Sequence, residues 1–179
     1  MGILALLVVA IWAMLPAYVP NNVAVLAGGG PPIDGGRRWR DKRLLGDGKT
    51  WRGTAAGIAA GALLAIVLNA VAPTALLGVS LPRFPPAAML ALPAGAMLGD
   101  IAGSFVKRRL GTARGAPVPG IDQLDFVLGA LLIAALAAPG WFGRTFTLPV
   151  IAVVVVVTPV LHVTTNVIGY LIGQKQEPW

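Results

Sequence analysis

The sequence predicts an all-α integral membrane protein of five transmembrane helices, joined by two long cytoplasmic loops. Two observations carry this prediction. Of the 179 residues, 56% are hydrophobic and only 12% are charged, whereas soluble domains carry about 25% charged residues. Five apolar stretches also approach the roughly 20 residues that a helix needs to cross a bilayer. We expect one membrane domain with spans at about 3–26, 54–79, 86–106, 122–138 and 146–172.

Each predicted span has its own local features. The first contains Pro16 and Pro20, which tilt or kink it. Because no basic region precedes it, we interpret it as a retained span rather than a cleaved signal. The second is rich in glycine and alanine, which allow helices to pack closely. The third contains Asp100, and the fourth is short unless it begins near Asp122.

The fifth span carries a polar stripe along one face. We expect His162 to be a hydrogen-bond partner in helix packing rather than a catalytic base, because its neighbours on that face are neutral polar or small residues. The stripe consists of Thr158, His162, Thr165, Asn166 and Gly169.

Basic residues set the expected orientation. All 14 lysines and arginines except Arg83 and Arg144 lie in the predicted loops 28–53 and 107–121 or in the C-terminal tail. Since lysine and arginine gather on the cytoplasmic side, both loops and the C-terminus are expected there, with the N-terminus outside. The net charge of +7 would indicate nucleic acid in a soluble protein. In this membrane chain it indicates a lipid surface or a phosphate-bearing substrate instead.

Acidic residues gather on the same side as the basic ones, which the positive-inside rule does not explain. A site for metal and phosphate would explain it. The chain has no cysteine and one histidine, so thiolate and histidine-cluster metal sites are excluded. The acidic residues are Asp34, Asp41, Asp47, Asp100, Asp122, Asp125 and Glu177.

The segment GDIAGSFVKRR, residues 99–109, places charged and hydroxyl side chains at the end of the third span. If it is helical, Asp100, Ser104 and Lys107 share one face, because they are spaced i, i+4 and i+7. A carboxylate within a membrane span is costly and usually functional. The alternative is a helix–helix hydrogen bond between Asp100 and a neighbouring serine or asparagine.

The segment PGIDQLDF, residues 119–126, opens the fourth span. Asp122 and Asp125 would share a face in the first turn, at the positive end of the helix. Asp122 alone could instead be an N-cap. Together with Asp100, the pair would repel unless a cation neutralised it. Because the candidate ligands are all oxygen atoms, we predict Mg²⁺, which proteins generally bind together with phosphates.

The loop GDGKTWRG, Gly46 to Gly53, resembles the end of a P-loop. The glycine that a P-loop requires is replaced by Arg43 and no strand precedes the loop, so that motif is rejected. Glycines still let backbone N–H groups approach phosphate oxygens, and Lys49 adds a charge. The alternative is a solvated basic loop that serves topology and anionic lipid. Upstream, Asp34 belongs either to a nucleotide pocket or to an Asx-turn.

Together these segments resemble the archaeal CDP-archaeol synthase family, relatives of the CDP-diacylglycerol synthases. The resemblance rests on NNVAVLAGGGPPIDGGRRWRDKRLLGDGKTWRG, GDIAGSFVKRR, PGIDQLDF and the tail KQEPW. Ser104, Lys107 and Arg108 match the S-x-x-K-R element of the wider signature, and Asp122 and Asp125 match its final two acids. Its K-D and H-G-G elements are missing, which favours the shorter archaeal branch.

The resemblance implies a Mg²⁺-dependent reaction in which the lipid phosphate attacks the α-phosphorus of CTP. The substrates would be CTP and 2,3-di-O-geranylgeranylglyceryl phosphate, an isoprenoid ether lipid in the bilayer, and the products CDP-archaeol and pyrophosphate. On this interpretation Asp100, Asp122 and Asp125 hold Mg²⁺, while Lys107 and Arg108 neutralise phosphates. The expected CTP-binding residues are Asn22, Asp34, Gly46, Gly48, Lys49, Thr50, Arg52 and Ser104.

Three other functions fit parts of the sequence. A CDP-alcohol phosphotransferase would show D-G-x-x-A-R and then acids four residues apart, whereas these are three apart. A small transporter would be favoured by inverted repeats and by polar residues at mid-membrane, and we find no repeat. A surface scaffold for nucleic acid or lipid would leave Asp100, Asp122 and Asp125 unexplained.

Overall fold

The computed structural model describes residues 2–71, 75–112 and 116–173. Three basic or acidic residues of the orientation argument, Arg114, Lys175 and Glu177, lie outside these ranges, as does the tail KQEPW. The described chain forms helices α1 (Ile3–Leu26), α2 (Trp51–Val71), α3 (Pro86–Arg109), α4 (Ile121–Ala137), α5 (Pro139–Thr145) and α6 (Leu148–Leu171). It also forms two antiparallel hairpins: β1 (Arg38–Trp39) with β2 (Lys42–Arg43), and β3 (Ala75–Leu76) with β4 (Val79–Ser80).

Four of the described helices, α1, α2, α3 and α6, are long and apolar enough to cross a membrane. This confirms an all-helical membrane fold. The fourth predicted span corresponds to α4, whose 17 residues reach about 26 Å, slightly less than the roughly 30 Å of a hydrocarbon core. The helix α5 follows it directly and was not predicted.

The predicted bounds of the second span are wrong at both ends. Helix α2 begins at Trp51 rather than 54, because the Thr50 hydroxyl accepts a hydrogen bond from the Gly53 N–H at 3.1 Å and so caps the helix. It ends at Val71 rather than 79, since the apolar run conceals a tight turn. Leu77 and Gly78 have φ of 51° and 74°, the pair of positive values that a type I′ hairpin turn requires.

The predicted close packing of glycine-rich helices is confirmed where α2 crosses α1. A Cβ added to Gly57 would lie 2.7 Å from the backbone oxygen of Pro20, and one added to Gly61 would lie 2.5 Å from that of Pro16. Both glycines are buried. The two helices therefore meet backbone to backbone, as small residues permit in membranes.

An even closer seam joins α3 to α4. A Cβ on Gly95 would lie 2.5 Å from the backbone oxygen of Gly129, and one on Gly99 would lie 2.2 Å from that of Asp125. One turn further, a Cβ on Gly103 would lie 2.0 Å from Oδ2 of Asp125. We call this set, Gly95, Gly99, Gly103 and Gly129, the glycine seam.

We expect Gly129→Ala to destabilise the protein. Its new Cβ would lie 2.2 Å from the Gly95 backbone oxygen, and such overpacking typically costs about 1–3 kcal/mol. The midpoint of thermal unfolding in detergent measures the effect. Gly143→Ala in α5 is the matched control, because no described atom lies within 4 Å of a Cβ there. Equal midpoints for both variants would contradict close packing at the seam.

Candidate active site

A cavity of about 600 Å³ opens where α1, α3 and α6 end and α2 and α4 begin. Its lining is amphipathic. Charged side chains come from the loop before α2 and from α3 and α4, and α1 contributes amide side chains. Helix α6 contributes both apolar residues such as Leu161 and Ile168 and polar residues such as Asn166. The predicted residues that line it are Asn22, Gly48, Lys49, Thr50, Asp100, Lys107, Arg108, Asp122 and Asp125.

Two lysine–carboxylate pairs cross the polar end of this cavity. Lys49 Nζ donates to Asp100 Oδ2 at 2.5 Å, which ties the loop before α2 to α3. Lys107 Nζ pairs with Asp122 Oδ1, which ties the end of α3 to the start of α4. All four side chains retain some exposure, between 17% and 26%. The charges are therefore compensated while still reachable from the cavity.

Asp125 differs from the other two carboxylates. Its Oδ1 accepts a hydrogen bond from the Phe126 N–H at 2.6 Å, and its Oδ2 faces the Cα of Gly103 across the glycine seam. Within the described ranges, no lysine or arginine forms an ion pair with it. Among the described carboxylates that line this end of the cavity, Asp125 is the one without an ion pair to lysine or arginine.

Asp122 lies inside the first turn of α4 rather than at its cap, since Gly120 is the N-cap residue. Its Oδ2 accepts the Val118 N–H at 2.6 Å, while its Oδ1 faces Lys107. The N-cap alternative for Asp122 is therefore wrong. Both oxygens of this carboxylate are engaged.

The structure places four predicted residues outside the cavity lining. Arg52 instead donates to the backbone oxygens of Ala27, at 2.9 Å, and Gly28, and so secures the end of α1. Ser104 is buried within α3. The remaining two, Asp34 and Gly46, belong to the framework of the loop.

Asp34 organises the loop from within. It is buried, pairs with Arg43 at 2.9 Å, and accepts N–H groups of Gly36, Leu45 and Gly46 at 3.0–3.3 Å. Its bond to Gly36 confirms the Asx-turn alternative. Burial alone would raise the pKa of Asp34, but the hydrogen bonds from Arg43 and the three N–H groups hold it well below its usual range.

The sequence analysis missed Arg109, which fastens the β1–β2 hairpin to the end of α3. Its guanidinium donates to the backbone oxygens of Trp39 at 2.9 Å and Arg43 at 2.7 Å. It also lies 5.3 Å from the ring centre of Trp39 and 5.4 Å from that of Phe105. Because these oxygens belong to a segment about 70 residues earlier in the chain, the local sequence around Arg109 carried no signal for this role.

The sequence predicted only some of the polar residues that α1 and α6 contribute to the cavity. Tyr18, which was not predicted, hydrogen-bonds Thr158 at 2.9 Å, and both line the cavity. The Oδ1 atom of Asn21 is buried without a hydrogen-bond partner among the described residues. The spacing of Tyr18, Asn21 and Asn22 on one helical face was the signal. On α6, Asn166 and His162 interact at 3.2 Å within the same helix, so the role of His162 in packing between helices stays a prediction.

Comparison with known proteins decides the family. A family model described as CarS-like, CDP-archaeol synthase, matches residues 3–179. The chain belongs to the CDP-archaeol synthase family. It is 64% identical to the CDP-archaeol synthase of Halobacterium salinarum over the full length of both chains. It is 66% identical to that of Haloarcula marismortui over 95% of each chain.

A solved structure agrees with this membership. Its subject is an intramembrane enzyme for archaeal membrane lipid biosynthesis, and it matches with a TM-score of 0.67 and 40% sequence identity, over 88% of this chain and 92% of that one. The resemblance stated from the sequence is thus confirmed: this is a cytidylyltransferase family of membrane-lipid biosynthesis. No finding favours a CDP-alcohol phosphotransferase, a transporter or a scaffold.

The carboxylate oxygens at the cavity could hold a divalent cation such as magnesium. Among the described residues, no group of three or more carboxylate or histidine side chains is close enough to share an ion. Mg²⁺, however, is usually held by one or two carboxylates plus substrate phosphates. Asp100 and Asp125 meet that need from facing sides of the glycine seam. The three-carboxylate set that includes Asp122 stays a prediction.

We expect Asp34→Asn to lower the thermal midpoint by several degrees at neutral pH. The folded pKa of Asp34 lies below its unfolded value of about 4, so its charge stabilises the fold above that pH. This stabilisation is lost as the pH falls through the folded pKa. The gap between wild type and variant should stay constant from about pH 5 to pH 8 and shrink in stronger acid.

The matched control for this prediction is Asp47→Asn. Asp47 also pairs with Arg43, at 2.7 Å, but its side chain is 60% exposed, and exposed pairs contribute little. If this control loses as much stability as Asp34→Asn, the loop does not depend on the buried carboxylate.

Proposed function

We propose that this protein transfers the cytidylyl group of CTP to 2,3-di-O-geranylgeranylglyceryl phosphate, with Mg²⁺, to form CDP-archaeol and pyrophosphate. One observation carries the proposal for this member of the family. A single cavity joins two lysine–carboxylate pairs and Asp125 to apolar walls at the end of a helical bundle. Such a cavity suits a triphosphate and a lipid phosphate at the same time.

The reaction requires alignment and charge neutralisation rather than covalent help from the protein. An oxygen of the lipid phosphate forms a bond to the α-phosphorus of CTP. The bond from that phosphorus to the oxygen bridging to the β-phosphate breaks, and pyrophosphate leaves with its electron pair. Cationic side chains beside the phosphates stabilise the charge that develops on their oxygens.

Lys49, Lys107 and Arg108 supply these cations. Lys49 and Lys107 are held at the cavity by Asp100 and Asp122. We infer that the lysines and the carboxylates of these ion pairs change partners when the triphosphate binds. The phosphates take the lysine ammonium groups, and the released carboxylates become available to the metal.

Asp100 and Asp125 would hold Mg²⁺, which neutralises phosphate charge when it is bound. Asp100 becomes available when Lys49 turns to phosphate, and Asp125 has no ion pair to give up in the described chain. Asp122 would join only if both Lys107 and the Val118 N–H released it.

The other residues that line the cavity would contact either the nucleoside of CTP or the lipid substrate. Asn21 lines the cavity, and its buried Oδ1 atom has no hydrogen-bond partner among the described residues. A rotation of this side chain would offer the oxygen to a ribose hydroxyl or to the cytosine amino group. Val25, Leu26, Ile168 and Ile172 line the apolar side, where isoprenoid chains would continue into the bilayer. We infer a cell-membrane enzyme whose cavity opens to the cytoplasm, because the basic loops and the CTP pool belong there.

The function is tested with purified protein in detergent, Mg²⁺, labelled CTP and a panel of lipid phosphates. We expect a CDP-lipid from the isoprenoid glyceryl phosphate and no product when Mg²⁺ is omitted. Chromatography of the labelled lipid measures the product. If no lipid phosphate in the panel yields a CDP-lipid, the proposed function is wrong.

Asp125→Asn should reduce turnover by at least about a hundredfold while the protein remains folded. The substitution keeps the shape of the side chain against Gly103 and removes its charge. Initial rates give the loss, and the unfolding midpoint checks the fold. Asp47→Asn, on the exposed side of the loop, should keep near wild-type turnover. Activity of Asp125→Asn close to wild type would show that this carboxylate holds no metal.

A further inference from the structure

A second cavity, of about 640 Å³, lies at the opposite end of the bundle, beyond the reach of the proposed reaction. It is formed where α2 ends, α3 begins and α4 passes into α5. Along α3, the first residue, Pro86, is about 21 Å from Asp100 at the rise of an α-helix. No part of the nucleotidyl transfer uses this cavity.

Arg83 and Arg144 both line the second cavity. They are the two basic residues that the sequence keeps apart from the rest. Within residues 2–71, 75–112 and 116–173, neither guanidinium has an ion pair or a hydrogen bond. Lys49 and Lys107, in contrast, are each paired with a carboxylate. Two cations thus share a cavity that holds no compensating anion among its lining residues.

The backbone around Arg83 is fixed from both sides. Asn69 donates to the backbone oxygen of Phe84 at 2.8 Å and accepts its N–H at 2.9 Å. The indole N–H of Trp141 donates to the backbone oxygen of Arg83 at 2.8 Å. The rings of Phe84 and Trp141 lie 5.8 Å apart beneath this segment. A ligand for Arg83 would therefore meet a backbone that is already ordered, so binding would need to order only the arginine side chain.

The cavity walls around the arginines are apolar. Pro85, Ala87, Ala137 and Pro139 line it beside the two guanidiniums, and both helices that meet there belong to the apolar bundle. Guanidinium is weakly hydrated and binds phosphate oxygens through two parallel N–H groups. A ligand with a phosphate head and a hydrocarbon body matches both parts of this lining.

We propose that Arg83 and Arg144 form a binding site for a phosphate group, carried by the headgroup of an anionic membrane lipid, at the end of the bundle remote from the active site. The phosphate oxygens bind the two guanidiniums, and the apolar walls contact the lipid backbone. A free inorganic phosphate offers the same head without the hydrocarbon.

The test titrates detergent-solubilised protein with three probes: dioleoylphosphatidylglycerol, dioleoylglycerol and sodium phosphate. Retained ligand is counted by native mass spectrometry, and the thermal midpoint is followed in parallel. We expect phosphatidylglycerol to bind wild type about tenfold more tightly than R83Q/R144Q. Dioleoylglycerol, which lacks the phosphate, should show no such difference. If sodium phosphate reproduces the difference, the site is real and its ligand is a free anion.

The matched control is R37Q/R40Q, which removes two exposed arginines from the opposite end. It should bind phosphatidylglycerol at the Arg83 and Arg144 site as tightly as wild type does. Should R83Q/R144Q fail to fold, Ala87→Trp fills the cavity without changing its charge and should weaken phosphatidylglycerol binding equally. Wild-type binding by R83Q/R144Q or by Ala87→Trp would overturn the proposal, as would loss of all specific binding in R37Q/R40Q.

Discussion

Backbone contact between α3 and α4 is the constraint on which the rest of the site depends. Gly95, Gly99 and Gly103 bring the two helices together so closely that no side chain fits between them. In a membrane, where lipid competes for apolar surface, such contact supplies much of the association between helices. It also fixes Asp125 of α4 opposite Asp100 of α3. The backbone contact therefore sets how far apart the backbones of these two residues lie.

Charge pairing solves a second problem of this cavity. Uncompensated charges at the end of a helical bundle are costly to bury, yet the proposed reaction requires both cations and carboxylates there. Pairing Lys49 with Asp100 and Lys107 with Asp122 keeps both kinds of group in place at low cost. The same pairs hold the loop before α2 and the start of α4 against α3, so they also assemble the walls.

The sequence predicted what depends on composition and spacing, and it failed where tertiary contacts decide. The four long helices followed from hydropathy, and the placement of Asp100 and Lys107 at one cavity followed from their i, i+7 spacing. Ser104, at i+4, was expected on the same face but lies outside the cavity lining. The turn at Leu77 and Gly78 was hidden in an apolar run, because Leu77 adopts a positive φ that leucine seldom takes.

In the loop before α2, too, the residue types alone did not predict the contacts. Asp34 and Arg52 have the residue types of a nucleotide site, and only the fold shows that Asp34 faces Arg43 and that Arg52 faces the end of α1. The glycine seam also bears on the segment that connects α3 to α4. Because α3 and α4 are aligned by direct backbone contact, their mutual position does not depend on the length of the segment that connects them. A change of length before Ala116, where this segment begins to line the cavity, would therefore leave the alignment of the two helices unchanged.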